Sequence, residues 1–215
     1  SQADVEDALF TVLNIPRVDL SSYDPIQSSI DQSASRDAQV VAARIQAVTS
    51  QLVNVINVSS TVVDKVASGS NAAGSAISAL AQTIRQAADN NQTLDLASAQ
   101  TVATVVRDSV TTSGALGSAP TDERLAQIND LSVKAGQAIE GVNSKTRESV
   151  DALIQNTGTS IIDALSDVFK LQTLTVTTVV PAIFDANDSA ALDQVVQQFN
   201  GTSLDQAVES VQAGN

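Results

Sequence analysis

Apolar residues recur at helical spacing over most of the chain, and the longest run guides the reading of the rest. Val41, Ile45, Val48, Leu52, Val55, Ser59, Val62 and Val66 follow one another at alternating steps of four and three. That series predicts one helix from about Ser35 to Ala67 with an apolar seam. Val40, Ile56 and Val63 widen the seam beyond what a two-stranded coiled coil uses, so the helix belongs in a bundle with neighbours on two sides. Val and Ile are mediocre helix formers, and here the regular period outweighs propensity.

The other segments read in the same way. Residues 3–13 form a short helix with Val5, Leu9, Phe10 and Leu13 on one face. Pro16 and Tyr23-Asp24-Pro25 then interrupt, since each proline removes a donor and restrains the residue before it. Leu13 to Ile30 is therefore a shaped connector that lays Ile15, Val18, Leu20, Tyr23 and Ile26 along helices. Gly69-Ser70-Asn71 closes the long helix. Residues 72–88 form the next, with Ala76, Ile77, Leu80, Ile84 and Ala87 inward, and Asp89-Asn90-Asn91 ends it. Leu94 to Thr111 follows, capped by Asp95 or Thr93, with Leu96, Ala99, Val102, Val105, Val106 and Val110 inward. Residues 112–119, with Gly114 and Gly117, are expected to form a mobile loop.

Pro120-Thr121-Asp122-Glu123 starts a helix striped by Leu125, Ile128, Leu131, Ala135, Ala138, Ile139 and Val142. It runs on through Val150, Leu153 and Ile154 to a break at Thr157-Gly158-Thr159. Gly136 and Gly141 are either weak points in it or sites of close packing. Ser160 to about Leu174 is helical, with Ile161, Ile162, Leu165, Val168 and Phe169 inward. The β-branched stretch Thr173–Val180 fits helix or strand, and a helix running to Pro181 is preferred because a strand has no evident partner. Asp188 starts a helix with Leu192, Val195, Val196 and Phe199, ended by Asn200-Gly201. Ser203 caps a last one holding Leu204, Ala207, Val208 and Val211. The sum is an all-α fold, a multi-helix bundle of about eight helices with an extended N-terminal connector. Residues 1–215 read as a single helical domain, with a subdivision near residues 112–120 as the alternative.

Composition then removes classes of function. The 215 residues carry 24 acidic and 11 basic side chains, a formal net charge of -13, and no Cys, His, Met or Trp. Thiol chemistry, disulfides, Cys/His zinc sites and histidine base catalysis cannot be built from this chain. An acidic surface with few rings disfavours nucleic acid. No apolar run approaches the roughly 20 residues of a membrane span, so membrane insertion is not expected. The first residue is Ser1 rather than Met, which suggests a processed protein or a piece of a longer one. Asp supplies 19 of the acidic residues and Glu 5; with abundant Ser, Thr, Asn and Gln, this favours an extracellular bacterial protein or one from a saline habitat.

Two oxygen-rich segments are the candidates for metal. Asp185 and Asp188 lie in one and Asp89 and Asp95 in the other, and calcium is the cation such ligands suit. Neither segment has the EF-hand spacing, and Asp188 as a helix cap is the simpler account. No other cofactor is implied. For catalysis, Ser132 with Lys134 and Ser144 with Lys145 lack the three-residue offset that puts nucleophile and base on one helical face. No nucleophile elbow or phosphate-binding loop occurs. Carboxylate pairs such as Asp4 with Asp7, or Asp163 with Asp167, have the spacing of ordinary solvated faces. No catalytic residue is assigned, and the chain is read as not an enzyme.

The segment Leu13-Asn14-Ile15-Pro16-Arg17-Val18-Asp19-Leu20-Ser21-Ser22-Tyr23-Asp24-Pro25-Ile26 resembles a stretch of helical modules in very large secreted bacterial surface proteins of the cadherin-like or calcium-repeat adhesin type. The Ala- and Val-rich helix from Asp37 is similar too, so the resemblance covers about residues 9–66. It implies secretion or display on the bacterial cell surface, and no catalytic residues. The function expected is a non-enzymatic structural, spacing or adhesion module. Its partners would be a protein or glycan on another surface, or flanking domains of its own chain. The alternatives are a helical binding domain for a small apolar or carbohydrate ligand, and a fragment of a phage fibre or filament subunit.

Overall fold

Two long antiparallel helices organise the protein. The computed structural model describes residues 2–19, 21–67, 70–117 and 119–211, with side chains from Glu6 onward. Leu20 and Gly69, read above as connector contact and helix terminator, lie outside the described residues, as do the side chains of Asp4 and Val5. Among the described residues the chain is 77% helical, without strands, and eight helices have seven or more residues.

The long helices are α3, Arg36–Val66, and α6, Asp122–Gln155. At 1.5 Å per residue they extend about 46 and 51 Å. Before them stand α1 (Gln2–Val12), packed on the later α4, and α2 (Pro25–Ile30), packed on α3. Between them in sequence, α4 (Ala72–Asp89) and α5 (Ala99–Thr112) pack on α3, and α5 also packs closely along α6. After α6 comes α7 (Ile161–Leu174), which passes through a π turn at Thr175–Val179 into α8 (Val180–Asp185). Finally α9 (Ser189–Gln198) and α10 (Gly201–Ser210) close against α6. The main core cluster takes residues from Val12 to Val208, drawn from both sides of residues 112–120. A second cluster, including Ala43, Ala47, Val150 and Leu165, fills the other end of the α3–α6 pair.

Three polar ties fix the register of that pair. At one end Arg36, the first residue of α3, donates to the carbonyls of Leu153, Asn156 and Thr159 at 3.5, 3.4 and 3.0 Å. At the other, Arg124 in the first turn of α6 donates to the Val66 carbonyl at 2.9 Å. Each helix thus sends a cation from its start to the unpaired carbonyls at the end of the other, where the helix dipole also favours positive charge. In the middle, Asn143 is fully buried. Its amide donates to the Leu96 carbonyl at 2.8 Å, and its side-chain oxygen accepts from buried Asn54 at 2.9 Å. Gln51 donates to the Asn143 backbone carbonyl at 2.8 Å.

The deepest line of α3 is therefore rotated from the seam read in sequence. Val41, Val48, Leu52 and Val66 are only half-buried, while Ala43, Ala47, Ser50, Asn54, Val58 and Thr61 are buried. Small residues let helices approach. Gly136 is such a point: a Cβ there would lie 2.5 Å from the Ala99 carbonyl oxygen of α5. At Gly141 it would lie 2.2 Å from the Phe199 carbonyl oxygen. Both glycines mark close packing rather than weakness. Four buried hydroxyls enter the core by donating one turn back: Ser109, Ser132, Thr146 and Thr175 bond the carbonyls of Val105, Ile128, Val142 and Leu171.

Several local expectations differ from the structure. Ile77, Leu125, Ile154, Ile162 and Phe169 were expected inward and are exposed, Ile162 by 69%. On α7 the buried face belongs to Ile161, Ala164, Leu165, Val168 and Leu171, and a residue one step along a helix points about 100° away. The fifth helix begins at Ala99 rather than Leu94, with Ser98 at the N-cap and neither Thr93 nor Asp95 capping it. The last begins at Gly201 behind Asn200, not at Ser203. The connector contains a helical turn of its own, α2, because Asp24 accepts from the Ile26 and Gln27 amides while Pro25 takes the first position. Along the connector Ile15, Val18 and Tyr23 are half-buried and Ile26 is exposed. The Thr173–Val180 stretch is helical, as preferred, but the helix continues past Pro181. Val180 donates to the Thr175 carbonyl five residues back, a wider turn that shifts the bonding register just before a residue with no N–H to give. In residues 112–119, Gly114 and Gly117 have φ of 75° and 65°, and Ala115 and Leu116 pack on the core.

Two substitutions test this account. Asn143→Leu strands the buried Leu96 carbonyl and the Asn54 amide, at about 1–3 kcal/mol for each orphan. We expect a loss of about 2–5 kcal/mol in urea unfolding, and a smaller loss when Asn54→Leu is added. Additive losses in that pair would mean the amides do not act together. Gly136→Ala would gain about 1 kcal/mol by helix propensity alone. The contact with the Ala99 carbonyl predicts instead a net destabilisation of about 1–3 kcal/mol; a raised melting temperature would show the helices are farther apart.

Candidate functional site

A cleft of about 280 Å³ opens beside the central amides of the α3–α6 pair. Its sides come from Arg44, Ala47, Val48 and Gln51 of α3 and from Arg147, Val150 and Asp151 of α6. The other walls are two turns of similar construction. Helix α1 ends with Asn14 at φ 49°, and the Ile15 amide donates to the Phe10 carbonyl at 3.1 Å. Helix α4 ends with Asn91 at φ 52°, and the Gln92 amide donates to the Ala87 carbonyl at 2.8 Å. This is the left-handed helix stop with its six-to-one bond, in which Asn substitutes for the usual Gly. The Leu94 amide donates to the Val12 carbonyl at 2.7 Å, joining the two walls.

Charge at the cleft is balanced in number, with Arg44 and Arg147 against Asp95 and Asp151. Arg147 is paired with Asp95 at 3.0 Å, and Asp95 also accepts from the Ala97 amide at 2.9 Å. Arg44, half-buried, donates to the Asn14 carbonyl at 3.4 Å. No carboxylate among the described residues stands within ion-pair distance of it. Leu13, Ile15, Leu94 and Leu96 supply apolar walls. Asp151 of α6 lines the same cleft, so two guanidinium groups and two carboxylates face it beside the apolar walls. Arg44 and Arg147 were not singled out in the sequence, because each sits beside the apolar positions of its helix and reads as an ordinary flanking charge.

The four aspartates considered for calcium are placed separately. Asp188 is the N-cap of α9 and accepts from the Ala191 amide at 2.8 Å. Asp185 and Asp89 are exposed last residues of α8 and α4. Asp95 belongs to the Arg147 pair. Among the described residues no three His, Cys, Asp or Glu side chains gather where a metal ion could be held. Elsewhere, hydroxyls of Ser21 and Ser22 hold Asp19 below the usual carboxylate range, and Ser33 does the same for Asp31. Lys145 is raised, chiefly by its hydrogen bond to Asp205 at 2.7 Å on α10. That tie is complete below the ordinary lysine range and is lost as pH rises through the raised value.

If Asp188 acts as a cap, Asp188→Ala costs about 1 kcal/mol, read by urea unfolding equally in calcium and in chelator. A loss seen only in calcium would assign this carboxylate to a metal instead. No helix among the described residues is long and apolar enough to cross a membrane. No protein-family model, curated protein or solved structure matches the chain.

Proposed function

We propose that this chain is a non-enzymatic spacing module of an extracellular bacterial surface protein, holding what flanks it at a fixed separation. The observation that carries the reading is the α3–α6 pair. Two helices of 31 and 34 residues run antiparallel and are tied at both ends by reciprocal arginine bonds and in the middle by buried amides. A rod locked at three points along its length resists both sliding and splaying, which is what a spacer requires. Display on the cell surface rests on the resemblance of residues 9–66 to modules of secreted bacterial adhesins. Its partners on this reading are flanking domains of its own chain, or a protein or glycan of another surface.

The absence of Cys makes the test direct. Asp64→Cys near the end of α3 and Gln155→Cys at the end of α6 are both exposed and lie at opposite ends of the pair. By helix rise the labels should stand about 40 Å apart. Single-molecule energy transfer should give one narrow distribution, unchanged by salt or calcium. A broad distribution, or interconversion between two distances, would remove the spacing function.

A further inference from the structure

We propose that the outer face of α7 is a self-association surface, on which a second copy of the chain lays its own α7 antiparallel across a two-fold axis. Ile162, Phe169 and Val176, the last in the π turn, stand seven residues apart and are exposed by 69%, 37% and 50%. Seven residues make about two helical turns, so the three form one row about 21 Å long. The row lies away from Ala164, Leu165, Val168 and Leu171, which enter the core. Half-buried Ser166 and exposed Thr173 fall between its members, at steps of four and three. That is the seam of a coiled coil, with large residues at one seam position and small hydroxyl residues at the other. A contiguous apolar row on a surface marks a contact.

The order of residues along the row selects the occupant. Two parallel copies would set Phe169 on Phe169 and Ser166 on Ser166, bulk on bulk and gap on gap. Antiparallel pairing sets large against small: Phe169 faces Ser166 of the second copy, and Ile162 faces its Thr173. The same register brings exposed Asp163 beside Lys170 of the second copy. Both flank the seam at the position where paired helices exchange charge, and the two-fold axis makes the contact twice. A slip of one heptad sets Lys170 against Lys170 in one direction and Asp163 against Asp163 in the other. Size and charge therefore choose the same single alignment. Asp167 lies outside the seam and bonds Lys170 of its own helix at 3.2 Å, with Lys145 and Glu148 of α6 nearby. In a chain of net charge -13, a cation on the contact face offsets repulsion between copies.

The experiment uses the full chain in sedimentation velocity over a concentration series. The parent chain should show a reversible monomer–dimer equilibrium. Ile162→Glu should weaken it at least tenfold, whereas Ile77→Glu, at an equally solvent-facing position of α4, should leave it unchanged. Lys170→Asp should weaken it several-fold, and adding Asp163→Lys should restore it. Circular dichroism on each variant confirms the helices are intact. The chain has no Cys, so orientation can be read by mild oxidation. A mixture of Ile162→Cys and Thr173→Cys chains should form a disulfide-linked dimer, and neither variant alone should. A parent chain that stays monomeric up to about 1 mM, the weak end of specific association, would overturn the proposal. So would a dimer indifferent to Ile162→Glu, or Ile162→Cys chains that link to themselves. None of these outcomes bears on the distance between labels within one chain on α3 and α6, so the spacing function is tested separately.

Discussion

Burial of Asn143 at the middle of α6 commits the two long helices to one register. Its side chain has to find partners away from water, because an unpaired buried amide costs more than the net gain of the bond it would make. It finds them on two different elements, Asn54 of α3 and the carbonyl of Leu96 just before α5. Sliding α3 by one turn toward Ile139 would set Asn54 opposite an apolar neighbour and part it from Asn143. An all-aliphatic interface has no such penalty, since Val, Ala and Ile accept one another at any turn. The buried amides therefore supply what the aliphatic core lacks, a preference for one alignment among many similar ones.

Scarce cations extend the same role outward. Lys134 of α6 reaches Ser189 and Asp193 of α9, and Lys145 reaches Asp205 of α10. Lys65 near the end of α3 donates to the Phe184 carbonyl of α8 and lies over its ring. Exposed ion pairs are individually weak, at about 0–1 kcal/mol. A positive charge on a helix-end carbonyl in a protein of net charge -13 is a different case. There it satisfies an acceptor that the helix cannot satisfy itself, and it is one of few groups able to do so among so many carboxylates.

The helix order and most boundaries were legible because they follow from period and from breakers. The span of α3, the start of α6 at Thr121-Asp122 and the cap at Asp188 all appear where the residues say. What was not legible lies in the buried positions that are not apolar. Asn54, Asn143, Ser50 and Thr146 carry no hydrophobic signal, so a reading based on apolar residues placed the centre of α3 about one residue to the side. Conversely, Ile77 and Ile162 are apolar without being inside, and only the packing of neighbouring helices decides that. The cleft was least legible. It joins residues near positions 14, 48, 94 and 147, and it depends on two asparagines adopting a left-handed turn, for which the sequence offers no sign beyond the residue type.

The cleft and the rigid pair arise from one composition. A core of Ala, Val and Gly lets α5 approach α6 closely at Gly136, and such residues cannot fill space where helices diverge. Beside the Asn143 junction, α3 and α6 are held by polar ties rather than by interlocking large side chains. The walls there are Ala47, Val48 and Val150, with Leu13 and Leu94 reaching in from the turns. A larger residue at 47 or 48 would close the gap, but it would also press on a register that the amide bonds have already set. Close approach at one point and a gap at another are thus two results of building a long, ordered helix pair from small aliphatic side chains.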